Sequence, residues 1–250
     1  MIRLIACDID GALLPEGELA IAPVVFDEIL RLKAKGIRFC PTSGRRLESL
    51  RRLFAPVADE LYYVCENGST VYAPDGTLLG KTVMARETAM ELAHRILSHP
   101  DSEVMISGVE SCYLCPKDEK ILPIIALVGN TTRVVPTPED VPEEILKVSG
   151  YCYTSAQALM PALTGSPLPP TIAGGHWVDF TLAGKDTGLR QLGRALGIRA
   201  EEILAIGDNF NDTAMLDYAG SPWLMASAAP ELLARYPQHC RRAEDVLRTL

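Results

Sequence analysis

Three short, mostly apolar runs, at residues 2–6, 37–40 and 203–206, each break off at a cluster of polar residues. Runs of that length, bounded by turn signals, are too short for helices and read as strands buried on both faces. The first two are joined by a stretch carrying Val24, Val25, Ile29, Leu30 and Leu32 between charged residues, with Pro23 in front and Gly36 behind. That is an amphipathic helix with proline in its first turn. A strand–helix–strand unit of this length makes the two strands parallel. Ligands of open parallel sheets bind beyond the carboxyl ends of the strands. Asp8, Ser43 and Asp208 each stand just past such an end. Strands far apart in sequence therefore deliver polar groups to one edge.

The rest of the chain divides into two textures. A helix over 45–54, a third strand over 61–65 ending at Glu66-Asn67-Gly68, and a hairpin over 70–79 continue the first. From about residue 82 the one-to-one alternation is lost. Here the pattern predicts a helix at 87–97, strands at 103–106 and 112–114, and a helical stretch at 118–127. A strand at 132–135, a helix from 138 through 146, a strand at 148–153, a helix at 155–163 and a hairpin over 171–182 follow. Alternation resumes with a helix at 185–196 closed by Gly197, the strand at 203–206, a short helix at 212–218 and a strand at 222–225. The expected fold is α/β: a Rossmann-like parallel-sheet core at 1–81 and 184–250, with an inserted α+β domain at 82–183.

Composition narrows the partners. With 250 residues, 48% of them hydrophobic and 22% charged, the chain can bury a sizeable core. A net charge of −8 without a lysine or arginine stripe argues against a nucleic-acid surface. A phosphate site would have to be assembled locally, without help from a general positive field. Seven scattered cysteines are an odd number and read as reduced thiols. Cys112 and Cys115 form a lone pair without a second one at zinc spacing, and on a strand their sulfurs face opposite sides. The start does not read as a signal peptide, and the apolar run at 121–128 is too short to span a bilayer. A cytoplasmic protein, free of the membrane, is expected.

Asp8 and Asp10 lie two residues apart, on one side of the strand end if strand geometry persists. Like charges that close are costly without a cation beside them; the alternative is a solvated Asp-Gly turn. Asp208 and Asp212 raise the carboxylates to four, a set suited to a hard cation with oxygen ligands such as Mg²⁺. Taken alone, Asp208-Asn209-Phe210-Asn211-Asp212 also reads as an Asx-rich helix cap. Ser43 offers a hydroxyl and an amide at a helix start, for phosphate or for capping. Lys185 sits in a first helical turn, where its charge opposes the dipole, and that misfit favours a functional role over a solvent-facing one. Arg45 and Arg46 read as surface helix residues that could reach a ligand, and His176 and Trp177 as core or hairpin residues.

Together and in this order, Asp8-Ile9-Asp10-Gly11, Thr42-Ser43-Gly44-Arg45, Lys185 and Gly207-Asp208-Asn209-Phe210-Asn211-Asp212 resemble the four motifs of the haloacid dehalogenase-like phosphohydrolases. The nearest branch is the Cof type, with a large α/β cap between the second and third motifs. The resemblance implies Asp8 as nucleophile, Asp10 as acid and base, and Ser43 and Lys185 as further catalytic groups. It implies Mg²⁺ on Asp8, the Asp10 backbone carbonyl and Asp208, with Asp212 as ligand or behind it, and Gly44, Asn67 and Asn211 near the phosphate. The expected activity is hydrolysis of small phosphorylated metabolites, sugar phosphates or similar phosphomonoesters, by a monomer or homodimer whose cap selects the substrate. A phosphosugar mutase and a phospholigand-binding module without turnover are the competing readings. Two positions depart from the family pattern. Ala12 replaces the usual threonine, and Asp186 stands where glycine commonly follows the lysine, placing an acid beside Lys185.

Overall fold

In this computed structural model, which describes residues 1–15, 17, 18, 20–128 and 131–250, the first apolar run forms strand β1, Leu4–Cys7. Its four side chains are all fully buried, Ile5 and Cys7 in one apolar cluster and Leu4 and Ala6 in another. A strand covered on both faces needs no polar alternation, hence the continuous apolar run. Helix α1 (Pro23–Ala34) buries Val25, Ile29 and Leu32 along one stripe, with Pro23 in its first turn where no amide partner is lost. Gly36, at φ +80°, turns the chain into β2 (Arg38–Pro41). After α2 (Leu47–Leu53), strands β3 (Tyr63–Cys65), β4 (Thr70–Tyr72) and β5 (Leu78–Lys81) form a three-stranded antiparallel sheet. β3 also lies beside β2, since Tyr62 N–H donates to Phe39 O at 3.2 Å and Ser43 N–H to Val64 O at 3.0 Å.

The helix expected from residue 45 starts at Leu47, with Arg46 as its extended N-cap. The preceding loop is held out of helical geometry by the end of β3: Glu66 N–H donates to Arg45 O and Asn67 N–H to Ser43 O.

Residues Thr82–Leu182 form one compact unit. It contains α3 (Arg86–Ser98), β6 (Ser102–Gly108), β7 (Cys112–Cys115), α4 (Ile121–Val128), β8 (Thr132–Val134), β9 (Ile145–Cys152), α5 (Ala156–Leu159), β10 (Thr171–Ile172) and β11 (Trp177–Thr181). The strands make one sheet in the order β10-β11-β9-β6-β7-β8, antiparallel except for β7 with β8. Val104, Ile106, Val148 and Phe180 pack with Leu92 and Ile96 of α3 and Leu159 of α5, while Met105 and Leu114 pack with Ile121 and Ile125 of α4. Cys112 belongs to the second group and Cys115 to the first, so the two thiols do face opposite sides. The helix expected over 138–146 is not there. Only Pro138–Asp140 makes a helical turn, and Val141 is extended at ψ 117°. Val141 precedes Pro142, and a residue before proline is pushed out of helical geometry. Ile145 onward is then drawn into the sheet between β6 and β11.

Met1–Lys81 and Ala183–Leu250 form the other unit. Its second part holds α6 (Lys185–Leu196), β12 (Ile203–Gly207), α7 (Thr213–Tyr218), β13 (Ser221–Met225), α8 (Pro230–Arg235), β14 (His239–Cys240) and α9 (Ala243–Arg248). Strands run parallel in the order β14-β13-β12-β1-β2. Val25, Ile29, Val246 and Leu247 share a cluster with Ile5, Leu204 and Ile206, and Leu189, Leu192, Met215 and Leu232 share one with Leu4 and Ala205. Truncating side chains this deep costs about 2–5 kcal/mol each, so the carboxyl edge of the sheet is held firmly. β1 lies between β2 and β12, and strand order reverses there, which opens a crevice at their carboxyl ends. Among the described residues no helix is long and apolar enough to cross a membrane.

Candidate active site

The chain leaves β1 at Asp8, whose N–H still donates to Ile206 O at 2.9 Å. It then turns tightly: Leu14 N–H donates to Ile9 O at 2.7 Å and Gly11 N–H to Leu14 O at 2.9 Å. Gly11 has φ +96°, and a Cβ there would come 2.1 Å from Asp208 Oδ2. Gly207 ends β12 under the same constraint, because its Cβ would lie 2.6 Å from that of Asp212. Glycine at both strand ends thus lets the carboxylates of two loops converge. A Gly11→Ala variant is expected to bind Mg²⁺ about 10–100-fold more weakly, because Asp208 must move. Isothermal titration with Mg²⁺ checks this, and unchanged affinity would refute the role given to the close approach.

Lys185 is the first residue of α6, yet its side chain is only 2% exposed. Its Nζ lies 2.6 Å from Asp8 Oδ1 and 2.6 Å from Asp212 Oδ1. The other Asp212 oxygen, Oδ2, accepts Asp208 N–H at 2.9 Å and Asn209 N–H at 3.2 Å. The capping pattern read in the sequence is therefore present, and Asp212 bonds Lys185 as well as capping the turn. Burial pushes the Asp8 carboxyl up to about 8, against the pull of Lys185. Burial, and then the charge of Asp212, raises Asp208 as well. Burial alone would lower Lys185, but the two carboxylates outweigh it and hold the ammonium above its usual range.

One ammonium does not balance this group. Carboxylate oxygens of Asp8, Asp208 and Asp212 lie within 4.8 Å of one another, and Asp208 Oδ1 is buried without a hydrogen-bond partner among the described residues. A buried acceptor left unpaired is costly. An all-oxygen anionic donor set with one oxygen unsatisfied suits a hard divalent cation, so these residues fit Mg²⁺.

The Asp10 carboxylate is exposed and gripped by Arg45, with Nε to Oδ2 at 2.9 Å and Nη2 to Oδ1 at 2.6 Å. Ser43 is buried; its amide is committed to Val64 O, and its Oγ accepts Arg45 N–H at 3.2 Å. The donor expected from the Ser43 amide is therefore spent in the sheet, and the exposed Gly44 follows directly. A Cβ on Gly44 would come 3.1 Å from Asn67 Oδ1, so the Asn67 amide rests on that glycine. Asn211 is exposed, in the helical turn Phe210–Asp212. Asp186 is turned to Arg190, 3.3 Å away across one helical turn, so it is not the acid beside the Lys185 ammonium that the sequence suggests. Ala12 is buried in the turn after Gly11.

Neither Arg45 nor Arg46 is a surface helix residue. Arg46 pairs with Glu66 at 3.2 Å, the two side chains 6% and 4% exposed. Their partners lie 35 and 20 residues away in sequence, and nothing local in the chain signals either pair. His176 stacks on Tyr151 with ring centroids 5.5 Å apart, and Trp177 meets the same ring edge-on, in keeping with hairpin positions.

A family model described as haloacid dehalogenase-like hydrolase matches residues 5–165 and 170–245. The chain is 26% identical to the 5-amino-6-(5-phospho-D-ribitylamino)uracil phosphatase YbjI of Escherichia coli, over 98% of this chain and 94% of that protein. It is 26% identical to the HMP-PP phosphatase of Cronobacter sakazakii, over 97% and 92% respectively. A crystal structure from Eubacterium rectale superposes with a TM-score of 0.87 at 27% identity, covering 99% of this chain and 98% of its own.

Proposed function

Because this chain belongs to the haloacid dehalogenase-like hydrolases, we propose that its carboxylate–lysine cluster hydrolyses phosphomonoesters of small metabolites through an aspartyl-phosphate. The observation that carries the proposal is Lys185 Nζ at 2.6 Å from both Asp8 and Asp212, with the unpaired Asp208 oxygen beside them. Asp8 attacks phosphorus while the ester P–O bond breaks, and the leaving oxygen takes a proton from Asp10. Water, giving a proton back to Asp10, then attacks the acyl phosphate; inorganic phosphate leaves and the Asp8 carboxylate is restored. Lys185 neutralises charge that builds on the transferring group and needs no reorganisation, being already fixed between two carboxylates. Ser43 Oγ, Gly44 and the Asn67 amide receive the phosphate, with Asn211 at the edge of the same loop set.

Asp8, the Asp10 carbonyl and Asp208 would hold Mg²⁺, with Asp212 behind, and the cation would screen the phosphate from the carboxylate that attacks it. In this reading the inserted unit selects the leaving group. The names of the two relatives suggest a phosphorylated uracil derivative and HMP-PP as candidates beside sugar phosphates.

The test is phosphate release with and without Mg²⁺. The panel holds hexose, pentose and triose phosphates, pyridoxal phosphate, nucleotides, an aryl phosphate, HMP-PP and 5-amino-6-(5-phospho-D-ribitylamino)uracil. Mg²⁺-dependent release from at least one compound supports the proposal. An isomerised phosphosugar without free phosphate would replace it by a mutase, and tight binding without turnover by a sensor.

Arg45 is the positioning residue for Asp10 in this scheme. Arg45→Ala is expected to lower kcat about 10–100-fold, because the freed carboxylate no longer faces the leaving oxygen. Steady-state kinetics on the best substrate decide it; an unchanged kcat would leave the Arg45 pair a surface contact only.

A further inference from the structure

Glu66, Asn67 and Gly68 take φ values of +49°, +54° and +96°, three left-handed residues in succession. Glycine adopts this conformation freely and asparagine tolerates it, but glutamate does not. Such a backbone persists only where its surroundings over-determine it. The hairpin does not require it, since Cys65 pairs with Thr70 across a four-residue connection that is commonly built on an ordinary type I turn. The cause must lie in what the turn touches.

On one side it is bound to the loop that carries Ser43 and Gly44. Glu66 N–H donates to Arg45 O at 3.1 Å, Asn67 N–H to Ser43 O at 3.0 Å, and the buried Glu66 carboxylate meets Arg46 Nη1 at 3.2 Å. On the other side it presses, backbone to backbone, on the start of α6. A Cβ on Gly68 would lie 2.0 Å from Gly184 O, and one on Gly188 would lie 3.0 Å from Gly68 Cα. Gly184 is the N-cap of the helix whose first residue is Lys185. One strained turn thus spans the 43–46 loop and the residue before the buried ammonium.

We propose that Glu66-Asn67-Gly68 is a strut fixing the 43–46 loop relative to Lys185, and that Glu66 and Arg46 are positioning residues for the reaction. This rests on the function proposed above for Lys185, Gly44 and Asn67. A buried ion pair is weak support for stability and is kept where it enforces one arrangement over others. Here that arrangement is the left-handed turn. Because glycine contacts without side chains carry the far side, a shift at Glu66 has no flexible group to absorb it before Gly184.

The experiment is amide hydrogen exchange by mass spectrometry on the full chain, together with steady-state kinetics. The variants are Glu66→Gln, Arg46→Gln with Glu66→Gln, and Gly68→Ala. The double variant leaves no unpaired buried charge, so it carries the comparison if Glu66→Gln does not fold. In each variant, exchange is expected to quicken in both the 43–47 and the 184–188 peptides, with the parallel strands unchanged. kcat/KM is expected to fall about 10–100-fold, mainly in kcat, because Lys185 acts on charge that develops only during transfer. Faster exchange confined to the side that was mutated, or wild-type exchange at both, would overturn the strut. Coupled exchange in a protein whose wild type releases no phosphate would uphold the strut and refute the proposed reaction instead.

Discussion

Asp8→Asn is expected to lower kcat for phosphate release by about 10⁴-fold or more, equivalent to roughly 5.4 kcal/mol or more in the barrier. The substitution is nearly isosteric, and the amide cannot form the acyl phosphate, so the loss falls on chemistry and not on binding. The fold should survive, because Lys185 keeps its 2.6 Å contact with Asp212 when the Asp8 charge is removed. A second signature accompanies the loss. In the wild type without metal, burial holds Asp8 up to about 8, so a bound cation must expel that proton. Mg²⁺ affinity should therefore rise with pH from 5 to 8, and more shallowly in Asp8→Asn, where the Asp8 proton is gone. Turnover measured beside Mg²⁺ titrations at three pH values checks both. Wild-type turnover by the variant would assign the nucleophile elsewhere.

What could be read from the sequence follows from how local each cause is. β1 and β12 announce themselves because strands buried on both faces must be apolar throughout, β2 because only its first residue, Arg38, is polar and partly exposed, and α1 because its buried residues recur at helical spacing. The stretch at 138–146 misleads because acidic residues after a proline imitate a helix start, whereas Pro142 and pairing on both edges of β9 decide the outcome. In the site, Asp8, Asp208 and Asp212 stand out because carboxylates gather where apolar strands end. Lys185 stands out because its charge opposes the dipole of its own helix. Arg45 and Arg46 do not, since residues just before a helix look like its first turn, and their carboxylate partners belong to other loops. Asp186 misleads in the opposite way. It neighbours Lys185 in sequence, but Lys185 is directed into the core and Asp186 along the helix to Arg190.

Lys185→Met is expected to lower kcat about 10²–10³-fold and to destabilise the metal-free protein by about 3–5 kcal/mol near neutral pH. Methionine fills a similar volume, so the loss is electrostatic: Asp8 and Asp212, 7% and 0% exposed, lose the ammonium that lies 2.6 Å from each. The pH dependence separates this cause from simple misfolding. The folded value of Asp8, about 8, lies above its ordinary 3.8. Its contribution to stability is therefore fully present below about 3.8 and is lost as pH rises through about 8. Removing Lys185 takes away the cation that pulls this value down most, so ionising Asp8 in the variant becomes more costly still. Both folded proteins keep Asp8 protonated below its folded value, so the deficit against wild type should accordingly widen from pH 7 to pH 9, by thermal melting in EDTA. A shift of about 10 °C at the higher pH is the scale expected for a chain of this size. An equal deficit at both pH values would mean that the lysine acts through packing alone, and an unchanged kcat would remove it from the transfer step.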